Sequence, residues 1–202
     1  MPLPGADAGR VPDEGAQREQ QRRIRIFPGK HAGTGRKSHT VVESPVGPLT
    51  LVAAEGALIG LYMEQQRHLP PPEALGAPDG DPAGAPFAEV SVQLREYFGG
   101  ERTEFGLRVT LAGTAFQQRV WAALRAIPFG QTASYGELAG RIGQPSASRA
   151  VGLANGRNPV GIIVPCHRVV GADGSLTGYG GGMERKQYLL DHERRVNGQT
   201  LL

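Results

Sequence analysis

The chain has one cysteine in 202 residues, and a histidine follows it at once. Cys166 and His167 lie within Gly161 to Val170 (GIIVPCHRVV), an apolar run that leads into three residues able to do chemistry. A thiol reacts as its thiolate, so it needs a lowered pKa or a nearby base. His167 can act as that base, and Arg168 adds a fixed positive charge. Neighbouring side chains diverge, so a proton moving from Cys166 to His167 requires a bridging water or a backbone turn. A third group must orient the imidazole. A lone cysteine in apolar surroundings is also the ordinary picture of a structural thiol. The Pro-Cys-His-Arg context, with a paired-helix pattern just upstream, favours the nucleophile. The bond formed then decides the kinetics. A thioester is cleaved by water, whereas a thioether is not on a useful timescale. With no second cysteine to resolve it, an alkyl acceptor here acts once per molecule.

The elements that must position this thiol are readable on either side of it. Gly161 to Val164 has the apolar character of a short buried strand, which Pro165 ends because it has no N–H to give. Upstream, Thr114 and Gln117 form a capping box before a helix whose stripe is Phe116, Val120, Trp121, Leu124 and Ile127. Pro128-Phe129-Gly130 stops it. Ser134 and Glu137 form a second capping box for a short helix ending at Ile142, followed by a turn at Gly143-Gln144-Pro145. Ser146 is placed to cap a third helix running to Asn155, with Ala147, Ala150, Val151 and Ala154 inward and Ser148, Arg149, Gly152 and Asn155 outward. A short helix, a glycine turn and a second short helix make a helix-turn-helix pattern, although an ordinary helical hairpin reads the same way. After Val170, Gly171 to Gly174 form a turn, and Thr177 to Gly182 form a glycine loop suited either to a ligand or to a linker. Met183 to His192 is the closing helix, ending at Glu193. Read from sequence alone, Glu193 is a solvated acid.

Charge separates the two halves. Residues 1–110 carry 12 Lys and Arg against 14 Asp and Glu, whereas 111–202 carry 10 against 5. From Arg119 to Arg168 there are six arginines and one acid, Glu137. That excess falls on the paired helices and favours a surface for nucleic-acid phosphates. No apolar run approaches the ~20 residues of a membrane span, and the first residues have no signal-peptide pattern. A single cysteine makes no internal disulfide, so a reducing, cytoplasmic location is expected. Residues 1–38 read as a basic, disordered extension. Residues 39–110 read as a small α+β scaffold. Its strands are Thr40–Ser44, Leu49–Ala53, Ala57–Met63 and Phe105–Leu111, with a hairpin turn at Glu55-Gly56 and a helix over Pro86–Phe98 ended by Gly99-Gly100. Residues 64–85 read as a proline-rich loop.

These motifs, in this order from about residue 40 to 196, resemble those of the O6-alkylguanine-DNA alkyltransferases. The resemblance implies an α+β protein of two domains: a ribonuclease H-like N-terminal domain and a C-terminal, winged helix-turn-helix-like domain over 111–202. It implies repair by transfer of an alkyl group from O6-alkylguanine, with O4-alkylthymine as a second substrate, to Cys166. His167 would be the base acting through water, with Glu193 orienting it. Tyr135 would crowd the target's 3′ phosphate and help neutralise the leaving guanine, and Asn158 would be the hinge. Arg149 would be the finger that fills the stack left by a flipped nucleotide. Ser148, Gly152 and Asn155 would line the minor-groove helix, and Val169, Tyr179 and Gly180 the base pocket. Family members often carry a side chain where this chain has Gly178 and Gly180, which implies a roomier, more mobile loop. The expected partner is duplex DNA bound by a monomer, with cooperative loading left open. No cofactor and no metal are expected, since the four-cysteine zinc domain of adaptive-response relatives is absent. Two other classes fit less of the pattern. A cysteine hydrolase or amidotransferase would not need the paired helices, and an alkyltransferase-like lesion binder would lack the cysteine.

Overall fold

The computed structural model describes residues 25–28, 35–79, 84 and 86–198. Its N-terminal half is a mixed sheet of six strands: β1 (Arg25–Pro28), β2 (Lys37–Val42), β3 (Leu49–Ala54), β4 (Ala57–Met63), β5 (Ala77–Pro78) and β6 (Arg108–Leu111). Their order is β1-β6-β4-β3-β2-β5. The middle is an antiparallel meander, β2 against β3 and β3 against β4. Glu55 and Gly56 turn the second hairpin with φ of 52° and 68°, the two positive values that a two-residue turn of matching twist requires. β6 joins β4 in parallel, and β1 joins β6 in parallel. Helix α1 (Phe87–Gly99) covers the sheet with Phe87, Val90, Leu94 and Tyr97. Gly100 ends it at φ 79°, close against Val196.

Three boundaries differ from the sequence reading. The expected disordered extension, residues 1–38, lies mostly outside the described residues. Arg25–Pro28, however, pairs along β6, and Lys37 and Ser38 open β2 opposite Ala54 and Ala53. Backbone pairing at a sheet edge is satisfied whatever the side chains are, so composition did not reveal it. The proline-rich loop donates β5, which pairs with β2 at Ser38 and His39, where a proline is tolerated because the strand is an edge. The strand expected from Phe105 begins only at Arg108, since Gly106 N–H is taken by Gln93 Oε1.

The C-terminal half is helical. Helix α2 (Ala115–Arg125) begins with the expected capping box, Thr114 Oγ1 accepting from Gln117 N and Gln117 Oε1 from Thr114 N. Helix α3 (Tyr135–Arg141) begins with the second, between Ser134 and Glu137. Helix α4 (Ser148–Gly156) follows a turn through Gly143 at φ 72°. Ser146 does not cap it: Ala147 holds that place without a side-chain bond, and Ser148 is the first helical residue. Trp121, wholly buried in α2, donates Nε1–H to Ala154 O and fixes α2 against α4. A two-residue parallel ladder joins β7 (Ala133–Ser134) to β8 (Val169–Val170). The closing helix α5 (Met183–Val196) runs three residues past Glu193. One hydrophobic core spans both halves, from Leu49 and Leu58 to Val151, Val164 and Leu189.

Candidate active site

The segment entering the site is not a strand. Val160 makes a single bridge to Leu61 of β4, with Leu61 N–H on Pro159 O and Gly161 N–H on Leu61 O. The chain then coils. Ile162 has φ 66°, a backbone region that β-branched residues avoid, and Ile163 N–H closes a three-residue turn on Gly161 O at 2.7 Å. A second such turn follows at Pro165 (φ −81°, ψ 64°), with Cys166 N–H on Val164 O at 2.8 Å. The apolar run is buried as expected, but by turns rather than by pairing, because β4 accepts it at one residue only. These turns deliver a short 3₁₀ helix, Cys166–Arg168, whose last amide closes on Cys166 O. Asn158 clamps the entry, donating Nδ2–H to Val164 O at 2.7 Å and accepting Val160 N–H at Oδ1.

His167 and Glu193 are joined. His167 Nε2 lies 2.8 Å from Glu193 Oε1, and both side chains are wholly buried. Glu193 is therefore not a solvated acid. Its Oε1 also accepts from Tyr97 O–H and Arg168 Nη2, and its Oε2 from Arg168 Nε and Gly130 N–H. Burial pushes this carboxyl upward, but His167 and Arg168 outweigh it and hold it well below the usual range. Burial lowers the His167 pKa and outweighs Glu193, so the imidazole rests neutral. With Nε2–H donated to the carboxylate, Nδ1 keeps its lone pair, and it has no protein partner. A neutral imidazole with a buried, open lone pair is poised to take a proton. Cys166 is buried, and burial raises its pKa against the opposing pull of Asn158, Lys186 and Tyr179.

Arg168 is not a phosphate ligand. It is buried, forks onto Glu193, donates Nη1–H to Ile127 O at 2.7 Å and lies over the Phe129 ring. Arg125 is half-buried, so Arg119, Arg141, Arg149 and Arg157 are the surface members of the arginine series. Arg149 is exposed on α4, beside exposed Ala150 and one turn before Leu153, which is 72% exposed. Ala150 was expected inside and Asn155 outside. The helix is rotated from that reading: Asn155 is 3% exposed and donates Nδ2–H to Cys166 O at 3.4 Å. With Trp121 and Asn155 as its inner anchors, α4 turns Ala150 outward. Ser148 is partly covered, and a Cβ added at Gly152 would meet the Tyr135 ring at 3.6 Å, an ordinary contact.

The glycine loop is held at three carbonyls. Thr177 O, Gly180 O and Gly181 O accept from Lys186 Nζ, Arg67 N–H and Arg185 Nη1. Gly181 has no room for a Cβ, which would meet Met63 Sδ at 2.4 Å. A Cβ at Gly178 would face open space, and one at Gly180 would come to 3.6 Å from Arg67 O. Thr177 Oγ1–H donates to Tyr135 Oη at 3.3 Å, leaving the tyrosine proton to point elsewhere. Tyr179 is raised well above its ordinary pKa, by burial and then by Cys166, which it faces. Of the residues expected at the base pocket, Val169 has its carbonyl on Lys186 and Gly180 has its carbonyl on Arg67. Tyr97 and Lys186 were missed. Lys186 carried a signal: Lys186, Leu189, Leu190 and Glu193 follow i, i+3, i+4, i+7 on one stripe, and all are buried.

Fold and site together define a protein that pairs a helix-turn-helix with one buried thiol, next in sequence to a histidine held by a buried glutamate. The model of the 6-O-methylguanine DNA methyltransferase DNA-binding domain matches residues 115–195, and that of its ribonuclease-like domain matches residues 38–111. The methylated-DNA–protein-cysteine methyltransferase of Mycobacterium tuberculosis is 53% identical over 156 residues, covering 77% of this chain and 92% of that one. Its counterpart in Methanosarcina acetivorans is 46% identical over 156 residues, covering 77% and 97%. The crystal structure of M. tuberculosis OGT in complex with DNA superposes with a TM-score of 0.74 at 52% identity, covering 79% and 94%. This chain belongs to the methylated-DNA–protein-cysteine methyltransferase family.

Proposed function

We propose that the protein repairs duplex DNA by moving the alkyl group of O6-alkylguanine, and of O4-alkylthymine, to Cys166 in one irreversible turnover. The observation that carries this reading is the sole thiol, buried one residue from a neutral His167 whose far nitrogen is fixed by Glu193. Arg149 and the small residues of α4 enter the minor groove. The target nucleotide turns out into the pocket, and Arg149 takes its place in the stack. His167 Nδ1 accepts the thiol proton through a bridging water, and Glu193 stabilises the imidazolium so formed. The thiolate attacks the alkyl carbon. The S–C bond forms as the C–O6 bond breaks, and the electron pair stays with O6. Tyr135, its hydroxyl already accepting from Thr177, donates to the departing base. The product is a thioether, which no second cysteine can resolve. The protein works as a monomer in the cytoplasm and takes no cofactor.

The test is the intact mass of the protein after incubation with an O6-methylguanine duplex. One methyl, about 14 Da, should appear on Cys166. Repair that persists in Cys166→Ser, or repeated turnover without a mass change, would overturn the reading, the second outcome in favour of a hydrolase.

A further inference from the structure

Leu153 is a large apolar side chain that the fold turns into solvent. At 72% it is the most exposed of those described, ahead of Val41 at 53%. It sits in the middle of α4, and its direction is fixed from the other side of the helix. Val151 and Asn155, each two residues away and so about 200° around the axis, are buried. Asn155 Nδ2–H is held by Cys166 O, and Ala154 O takes the Trp121 Nε1–H at 2.9 Å. Covering Leu153 by rotating α4 would break both bonds. Around it the surface is low: Ala150 is exposed, and Gly152 and Gly156 have no side chain. Arg149 and Arg157 stand four residues before and after it, on the same face, and both are exposed. Among the described residues neither enters an ion pair. α4 contains no acid, and Glu137 of the neighbouring α3 is tied to the Ser134 amide.

A partner for this face must be anionic where the arginines reach and apolar between them. A protein surface fits poorly, because one leucine between two arginines is far short of the apolar core of a stable interface. The minor groove of a duplex fits well. Phosphates form its rims, the C–H faces of the sugars form its walls, and apolar side chains enter it as wedges. Resting on the reading above that α4 enters this groove, we infer that Leu153 is its apolar wedge, seated between the sugar walls one helical turn from Arg149. That turn is about 6 Å along the axis, on the order of two base-pair steps from the flipped nucleotide. The contact supplies affinity that salt does not weaken and that only a duplex can provide.

The experiment titrates the full chain with a short undamaged duplex, and with one of its strands, across salt concentrations. The proteins compared are the native chain, Leu153→Ala, Leu153→Met and Leu153→Asn. The Ala variant should bind the duplex about tenfold more weakly at every salt concentration. Its log–log slope should match the native one, because leucine neutralises no phosphate. The Met variant, apolar and of similar volume, should stay within about threefold of native, and the Asn variant should be as weak as Ala. On the single strand, which has phosphates but no groove, all four should agree within about twofold. Their melting midpoints should agree within about 2 °C, since so exposed a side chain carries little packing. An Ala variant that binds duplex like native, a slope that changes with the affinity, or an equal loss on the single strand overturns the inference. Weaker binding accompanied by a lowered midpoint overturns it too, by making the role structural. No readout uses a lesion, so a chain that takes no methyl from an O6-methylguanine duplex yet shows these differences sinks the repair reading and leaves the wedge in place.

Discussion

Glu193→Gln tests the most heavily bonded side chain of the site. Five hydrogen bonds converge on its two oxygens, three on Oε1 and two on Oε2. A glutamine presents one oxygen and one NH₂. Turned one way, its NH₂ meets Arg168 Nε–H and Gly130 N–H; turned the other, it meets Tyr97, His167 and Arg168 together. Donors then face donors, and Arg168 is left as a buried cation with no acid. Removing one partner of a buried pair costs about 3–5 kcal/mol. At about 2–4 °C per kcal/mol for a chain of this size, the melting midpoint at pH 7 should fall by roughly 6–20 °C. The dependence on pH has a fixed sign. The native carboxyl is held below the unfolded value, so its stabilisation is complete above that value and fades as the unfolded state takes up protons, below about pH 4–5. The gap between native and variant should therefore narrow at acid pH. In single-turnover repair, the variant's rate should rise at higher pH than native, because the imidazolium has lost its stabilising charge. Calorimetry at pH 7 and at about pH 4, with repair rates across pH, makes the comparison. Midpoints within about 2 °C at pH 7 would refute the bonding argument. An unshifted rate profile would refute the relay.

Arg149→Ala should slow repair of duplex lesions far more than reaction with free alkylguanine base, since filling the stack offsets the few kcal/mol of flipping; equal losses on both substrates would exclude a finger role. Binding to undamaged duplex, titrated from low to physiological salt, should fall with a log–log slope on the order of −3 to −4, as expected if Arg119, Arg141, Arg149 and Arg157 each neutralise a phosphate, and a flat dependence would remove the phosphate surface. Truncation before residue 25 should leave repair and melting unchanged, whereas truncation through residue 38 removes β1 and the first two pairs of β2 and should lower the melting midpoint measurably; the reverse pattern would show that the extension, not the sheet edge, matters.

What the sequence revealed was what short-range chemistry dictates. Both capping boxes and the α2 stripe depend on residues three or four apart, the Glu55-Gly56 turn on adjacent ones, and each stands where their spacing put it. Cys166 and His167, adjacent in the chain, were legible for the same reason, whereas Asn158 was named only by resemblance. Glu193 was legible only by resemblance, because its meaning lies in partners 25 to 96 residues away. The α4 error has a physical origin too. Alanine and glycine carry little amphipathic signal, so a rotation of the helix that exposes Ala150 and buries Asn155 leaves the pattern almost unchanged. The run from Gly161 to Val164 misled because burial was read as strand pairing. Its amides close on nearby carbonyls instead, and its one bridge is to Leu61.

That bridge bears on what the N-terminal half does. A buried carboxylate that needs several donors cannot find them on its own helix, whose amides are already engaged. Glu193 draws them from the 3₁₀ turn, from Gly130 beyond α2, and from Tyr97 on α1 of the other half. His192, its neighbour, holds the Tyr97 carbonyl at 2.7 Å, so α1 and α5 are bonded at successive residues of the relay helix. On the opposite side, Leu61 holds the chain entering Cys166, and Arg67 holds Gly180. The chain entering Cys166, the acid that holds His167 and the pocket loop are thus each fastened to the N-terminal half by hydrogen bonds to specific atoms. Scaffold is too weak a word for that half, because without Tyr97 the relay carboxylate loses one of its donors and without β4 the strained turn at Ile162 loses the anchor that offsets it.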